Sequence, residues 1–259
     1  ETWRAENPDK LESPAQLLTR IQAARQTRYE QELKAWKANP RDLKKPRASK
    51  ASIPLNEESR GALPDLPSQW SWVTLGDIAD TTVGFAFKSQ DFKSEGIRLL
   101  RGDNIEPRRL RWTNAVHWPD SSLHEYRDLL VSAGDIILAM DRPVISSGLK
   151  VALAKATDVP CLLVQRVARI TGCCGIENRF LLALIDQQRF INHCLGHQTG
   201  TQLPHISESQ IRAFPVPLCP LPEQQEIVRI LDEQFEAIAR NEREIDAALK
   251  RSEALRQAI

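Results

Sequence analysis

Apolar residues return at helical spacing from residue 222 to the end of the chain. Ile227, Leu231, Phe235, Ile238, Ile245, Leu249, Leu255 and Ile259 form one stripe on a charged run with no Gly and no Pro after Pro222. Pro222 suits a first helical turn, and Glu223 and Glu226 complement the unpaired N–H groups there. The pattern predicts a helix over 222–259, about 57 Å long at 1.5 Å per residue. Such a rod cannot bury its stripe in a small domain and needs another long helix. Gln234, Asn241 and Ser252 interrupt the seam, so an antiparallel, coiled-coil-like pair, or packing on a partner protein, fits better than a parallel zipper.

A second stripe, Leu17, Leu18, Ile21, Ala24, Leu33 and Trp36, follows Ser13-Pro14-Ala15-Gln16, which has the form of a capping box. A helix is expected to about Ala38, where Asn39-Pro40 stops it. Residues 41–61 lack periodicity and read as an exposed linker, or as an arm along a DNA backbone. The helix-packing positions expected from the two stripes are Leu18, Ile21, Ile227, Leu231, Phe235, Ile238, Ile245 and Leu249.

Between the helices the period shortens. Short strands are expected near Trp72-Val73, before a turn at Gly76-Asp77, and over 97–101, 136–140, 150–155 and 161–170. Loops are expected at 84–88, 101–105 and 141–148. Phe180, Leu181, Leu184, Ile185, Phe190, Ile191 and Leu195 then return at helical spacing. The predicted fold class is α+β: a mixed β-rich domain over 66–221, nearer a curved barrel or sandwich than a doubly wound sheet. Residues 1–65 precede it and the 222–259 helix follows, with the long helices outside the domain and forming an antiparallel rod.

Charge changes the picture through its distribution. The net charge of the 259 residues is only +1. Residues 34–50 nevertheless carry Lys34, Lys37, Arg41, Lys44, Lys45, Arg47 and Lys50 against Asp42 alone. Residues 98–111 carry five Arg against Asp103 and Glu106. Such patches on a near-neutral chain can face DNA. The five cysteines form no disulfide framework, and no segment has transmembrane length or the form of a signal peptide, which together predict a cytoplasmic protein with no membrane partner. The chain opens on Glu1 and holds one Met, which reads as a fragment or a processed product.

Catalytic patterns are missing. There is no glycine-rich phosphate loop, no dinucleotide fingerprint and no Gly-x-Ser-x-Gly elbow. His193, Cys194 and His197 raise a metal reading, but Gly196 breaks the helix between the histidines and adjacent Cys173-Cys174 suit no zinc pair, so buried or loop roles are expected and no metal. Asp91 and Asp141 would need a second carboxylate to act as nuclease residues. What remains is a recognition surface: Lys88, Arg101 and Asn104 at two turns, Arg142, Ser146, Ser147 and Lys150 around the next loop, and His197, Gln198, Thr199, Thr201 and Gln202 in a polar run. These residue types contact phosphates and base edges, although each alone reads equally well as a solvated loop side chain.

Several phrases carry a resemblance. Leu66-Pro67-Ser68-Gln69-Trp70-Ser71-Trp72-Val73-Thr74-Leu75-Gly76-Asp77-Ile78, Gly102-Asp103-Asn104-Ile105, Gly134-Asp135-Ile136-Ile137, Leu203-Pro204-His205-Ile206-Ser207, Phe214-Pro215-Val216-Pro217-Leu218 and Leu221-Pro222-Glu223-Gln224-Gln225-Glu226-Ile227-Val228 occur in order. This series resembles a target recognition domain and conserved helices of specificity (S) subunits of type I restriction-modification enzymes. His205 stands where the resembled phrase has Asn. The chain looks like the C-terminal half of such a subunit, or a half-sized one able to work as a homodimer.

The resemblance implies a non-catalytic subunit that reads one half of a bipartite double-stranded DNA target while its helices act as a ruler. It further implies docking of methyltransferase (M) subunits and, through them, the restriction (R) subunit, with self-association through the helices. S-adenosylmethionine, ATP and Mg2+ would belong to those partners, with no cofactor in this chain. A non-DNA scaffold built on the long helices is the alternative, and it predicts no electropositive face on the domain. An enzyme would show a pocket of converging carboxylates.

Overall fold

A computed structural model describes residues 2–40, 44–55, 57–196 and 203–257. Helices α1 (Thr2–Glu6), α2 (Pro14–Ala38) and α3 (Glu57–Gly61) come first. Strand β1 (Ser71–Thr74), the single turn α4 (Leu75–Ile78) and strand β2 (Ala79–Val83) follow. Next come β3 (Ile97–Leu100), the hairpin β4 (Ile105–Glu106) and β5 (Arg109–Leu110), and β6 (His117–Trp118). Strand β7 (Ile136–Ala139) precedes a second hairpin, β8 (Val144–Ile145) and β9 (Gly148–Leu149), then β10 (Val151–Leu153), β11 (Cys161–Leu163) and β12 (Val167–Gly172). Helices α5 (Asn178–Ile185), α6 (Gln188–Leu195) and α7 (Glu208–Ala213), strand β13 (Pro215–Leu218) and helix α8 (Leu221–Gln257) complete the mixed α+β fold.

One antiparallel sheet has the order β10-β7-β12-β2, and a second has the order β11-β3-β6 with β11 and β3 parallel. The Phe85–Val164 bridge joins the chain just after β2 to the end of β11, and Leu130 bridges Leu162 of β11. The unbroken apolar run in β7 follows from burial on both faces. Ile136 and Leu138 face a core shared with Leu17, Ile21, Phe180, Leu181, Phe190 and Phe214, whereas Ile137 and Ala139 face Leu99, Leu100, Leu162 and Leu163.

Three expectations change. Residues 161–170 are not one strand but two, in different sheets, because the polar pair Gln165-Arg166 makes a turn between β11 and β12. The helical run from residue 178 breaks into α5 and α6, and Phe190 packs edge-on against Phe214 at 5.0 Å. Nor do the long helices stand wholly outside the domain. Ser13 and Gln16 close the predicted capping box, and Leu17 and Ile21 are fully buried in the first core, with Leu18 against it. Leu33 and Trp36, further along α2, join neither core.

The segment after α2 is tied to the domain. Lys44 donates to the Glu125 carbonyl, Lys50 pairs with Glu208, and Ser52 meets Asp77 at 2.5 Å. Helix α8 is anchored at its start. Buried Glu223 accepts from Arg4 at 2.7 Å and from Trp70 at 3.0 Å. The Gln224 side chain accepts from Glu177 N–H at 3.1 Å and donates to the Cys219 carbonyl at 2.9 Å. Ile227 and Val228 pack on the first core, Leu231 is half-buried, and Arg179 pairs with Asp232. Beyond that turn Phe235, Ile238, Ile245 and Leu249 are exposed, with 51–60% of their surface open.

Candidate nucleic-acid interface

Backbone hydrogen bonds gather five loops at one end of the two sheets. Gly84 N–H donates to Val167 O at 3.0 Å and Phe85 N–H to Leu163 O at 3.1 Å, which ties the loop after β2 to the β11–β12 turn. Val164 N–H donates to Leu100 O at 3.0 Å and joins the loop after β3. Met140 N–H donates to Arg166 O, Ile206 N–H to Met140 O and Arg142 N–H to Pro204 O, at 2.9, 2.7 and 2.9 Å. These bring in the loop after β7 and the segment before α7. The approach at Gly84 requires glycine, since a Cβ there would lie 2.2 Å from Val164 O.

On the loop after β7, Arg142, Ser146 and Ser147 are exposed and Lys150 is half-buried; Lys88 is exposed on the loop after β2. Arg101, on the loop after β3, is half-buried, and its guanidinium donates to Asn114 O at 2.7 Å. Asn104 requires a correction. It is 2% exposed, its Oδ1 accepts from Arg101 N–H at 3.1 Å and its Nδ2 donates to Arg111 O at 3.0 Å, so it shapes the turn and offers nothing to a base. His197, Gln198, Thr199, Thr201 and Gln202 lie outside the described residues.

One cation at this edge escaped the sequence reading. Arg166 projects from the β11–β12 turn and pairs with Asp141, whose other oxygen lies 2.5 Å from His205 Nδ1. The one signal for Arg166 was the polar Gln165-Arg166 pair inside an apolar run. Burial alone would raise the Asp141 carboxyl, but hydrogen bonds from His205 and Arg166 outweigh it and hold it below the usual range. Burial pulls the Lys150 ammonium down; Asp103 raises it and Arg142 lowers it, which places all three charges within reach of one another.

Other candidate chemistry resolves into structure. His193 Nε2 lies 3.0 Å from Gln210 O, and burial pushes the Cys194 thiol up to about 12. Among the described residues no group of three or more His, Cys, Asp or Glu could hold a metal ion. No helix among them is long and apolar enough to cross a membrane.

Comparison with known proteins points the same way. Residues 67–251 match the family described as "Type I restriction modification DNA specificity domain". The EcoAI type I restriction enzyme specificity subunit of Escherichia coli is 37% identical over 182 residues, covering 70% of this chain and 30% of that protein. The MjaVIII specificity subunit of Methanocaldococcus jannaschii is 29% identical over 191 residues, covering 72% and 45%. The chain spans less than half the length of these curated relatives. A solved chain from work on complex assembly and conformational transition of the type I R-M system superposes with a TM-score of 0.54 at 19% identity, covering 95% of this chain and 55% of that one, a likeness of fold. A match running from just before β1 deep into α8 shows the family, and this chain belongs to the type I restriction modification DNA specificity domains.

Proposed function

We propose that the chain reads one half of a bipartite DNA target through this loop edge and performs no catalysis itself. The observation that carries the reading is the grouping of Arg142, Lys150 and Arg166 on loops tied together at one end of the sheets, with Asp103 near Lys150 and Asp141 paired to Arg166. The cations would hold phosphates, and the hairpin and turn tips would reach base edges. A scaffold without DNA has no use for such an edge.

The exposed stripe of α8 is the seam for another long helix, from the second half of a subunit or a second copy, and the pair sets the distance between two readers. Fixed spacing matters because equivalent groove faces recur about every 34–36 Å along B-DNA. The remaining helix faces dock the methyltransferase subunits that bring S-adenosylmethionine, and through them the ATP- and Mg2+-dependent restriction subunit.

Removing two phosphate-holding charges tests the reading. With Arg142→Gln and Lys150→Gln together, the assembled complex should bind its target more weakly. The slope of log K against log salt should become shallower by about 2, since each phosphate contact contributes roughly 0.9. An unchanged slope contradicts the assignment.

A further inference from the structure

The β8–β9 hairpin is a two-stranded ribbon, paired Val144 to Leu149 and Ile145 to Gly148, with Ser146-Ser147 as its turn. Its base is fixed. Leu149 is buried, Pro143 is buried, and Lys150 N–H donates to Pro143 O at 2.7 Å. Its tip is not covered. Val144 and Ile145, on opposite faces by strand alternation, are each 41% exposed. A groove of about 750 Å³ lies between the ribbon, with Ile145 and Ser147, the β4–β5 hairpin and the α5–α6 turn; Arg108 and Arg109 line it paired with Asp186 and Glu106. Arg142 and Lys150 flank the ribbon's root.

We propose that this ribbon enters the major groove and that Ile145 reads thymine through its C5-methyl group. A two-stranded β-ribbon fits the major groove, and the thymine methyl is the apolar group displayed on base edges there. The Ser146 and Ser147 hydroxyls donate or accept, so they discriminate poorly among base pairs. An apolar side chain beside the turn discriminates by what it covers: thymine rewards it, and the polar edges do not. Charge complementarity fixes the occupant, because the same ribbon is rooted between two cations suited to phosphates.

The inference rests on the DNA reading, and the test separates the two. The full chain in complex with methyltransferase subunits selects duplexes from a randomised pool. The selected site is then remade with deoxyuridine for thymine, one position at a time. Loss of one methyl should weaken binding about fourfold at one thymine of the half-site. Ile145→Ser should weaken binding to the thymine duplex similarly and abolish the thymine–deoxyuridine difference, with an unchanged unfolding midpoint. Ile145→Val, which keeps the ribbon intact, should retain part of the difference.

Equal binding of thymine and deoxyuridine duplexes at every position overturns the inference while leaving DNA reading intact. A difference that survives Ile145→Ser overturns it too. A complex that selects no duplex overturns both.

Discussion

Arg108, Arg142 and Arg166 hold positive φ angles of 64°, 44° and 64°. Each would lose roughly 1 kcal/mol or more to this backbone conformation, which Gly and Asn adopt readily. Arg142 and Arg166 lie on the tied loops, and Arg108 lines the groove beside the β8–β9 hairpin. Arg166→Asn should therefore change stability by no more than about 1 kcal/mol, as turn relief offsets the exposed Asp141 pair. It should still weaken DNA binding. Urea unfolding alongside a DNA titration checks both; large destabilisation with intact binding contradicts the account. The loop position of Arg142 and Lys150 was legible because they flank a Pro- and Gly-marked segment. Arg166 was hidden inside an apolar run, and Asn104 misled because composition does not reveal that both ends of an amide are taken by backbone.

Helix α2 was readable from its cap and its stop, but not the extent of its packing. Leu17 and Ile21 fill the core, and one turn on Arg25 donates to the carbonyls of Gly76, Asp77 and Ala79 at 3.1, 3.0 and 2.9 Å. Arg25 and Arg28 both pair with Asp80, at 3.1 and 2.7 Å. Burial alone would raise the Asp80 carboxyl; the Arg28 hydrogen bond and the charges of Arg28 and Arg25 outweigh it and depress it. A depressed carboxyl contributes stability above its unfolded value, near pH 3.9, and loses it as pH falls through the folded value. Asp80→Asn should lower the melting temperature at pH 7, and the gap should narrow below about pH 3.9. A gap independent of pH would show that the pair does not anchor α2. The two short hairpins escaped the sequence because two-residue strands show no alternation, and Ser146-Ser147 is not a typical hairpin turn.

Across the whole molecule, the loop edge and the exposed stripe of α8 are separate features of one chain. The first 12 residues of α8 are locked to the module through Glu223, Gln224, Val228 and Asp232, and Arg108 sits 5.9 Å over the Phe235 ring. Beyond them the apolar stripe runs exposed. The long period of α8 was plain in the sequence, since nothing but a helix accommodates 37 residues so patterned. What the stripe meets was not, because a seam names a partner's shape and not its identity.

On the proposed function, the module reads bases and the helices set the spacing. In cells carrying the complete system, residues 67–218 can be exchanged for the corresponding segment of the EcoAI relative and the methylated sites mapped genome-wide. One half of the bipartite motif should change, while the other half and the spacer length stay the same. An unchanged motif, or an altered spacer, would contradict it.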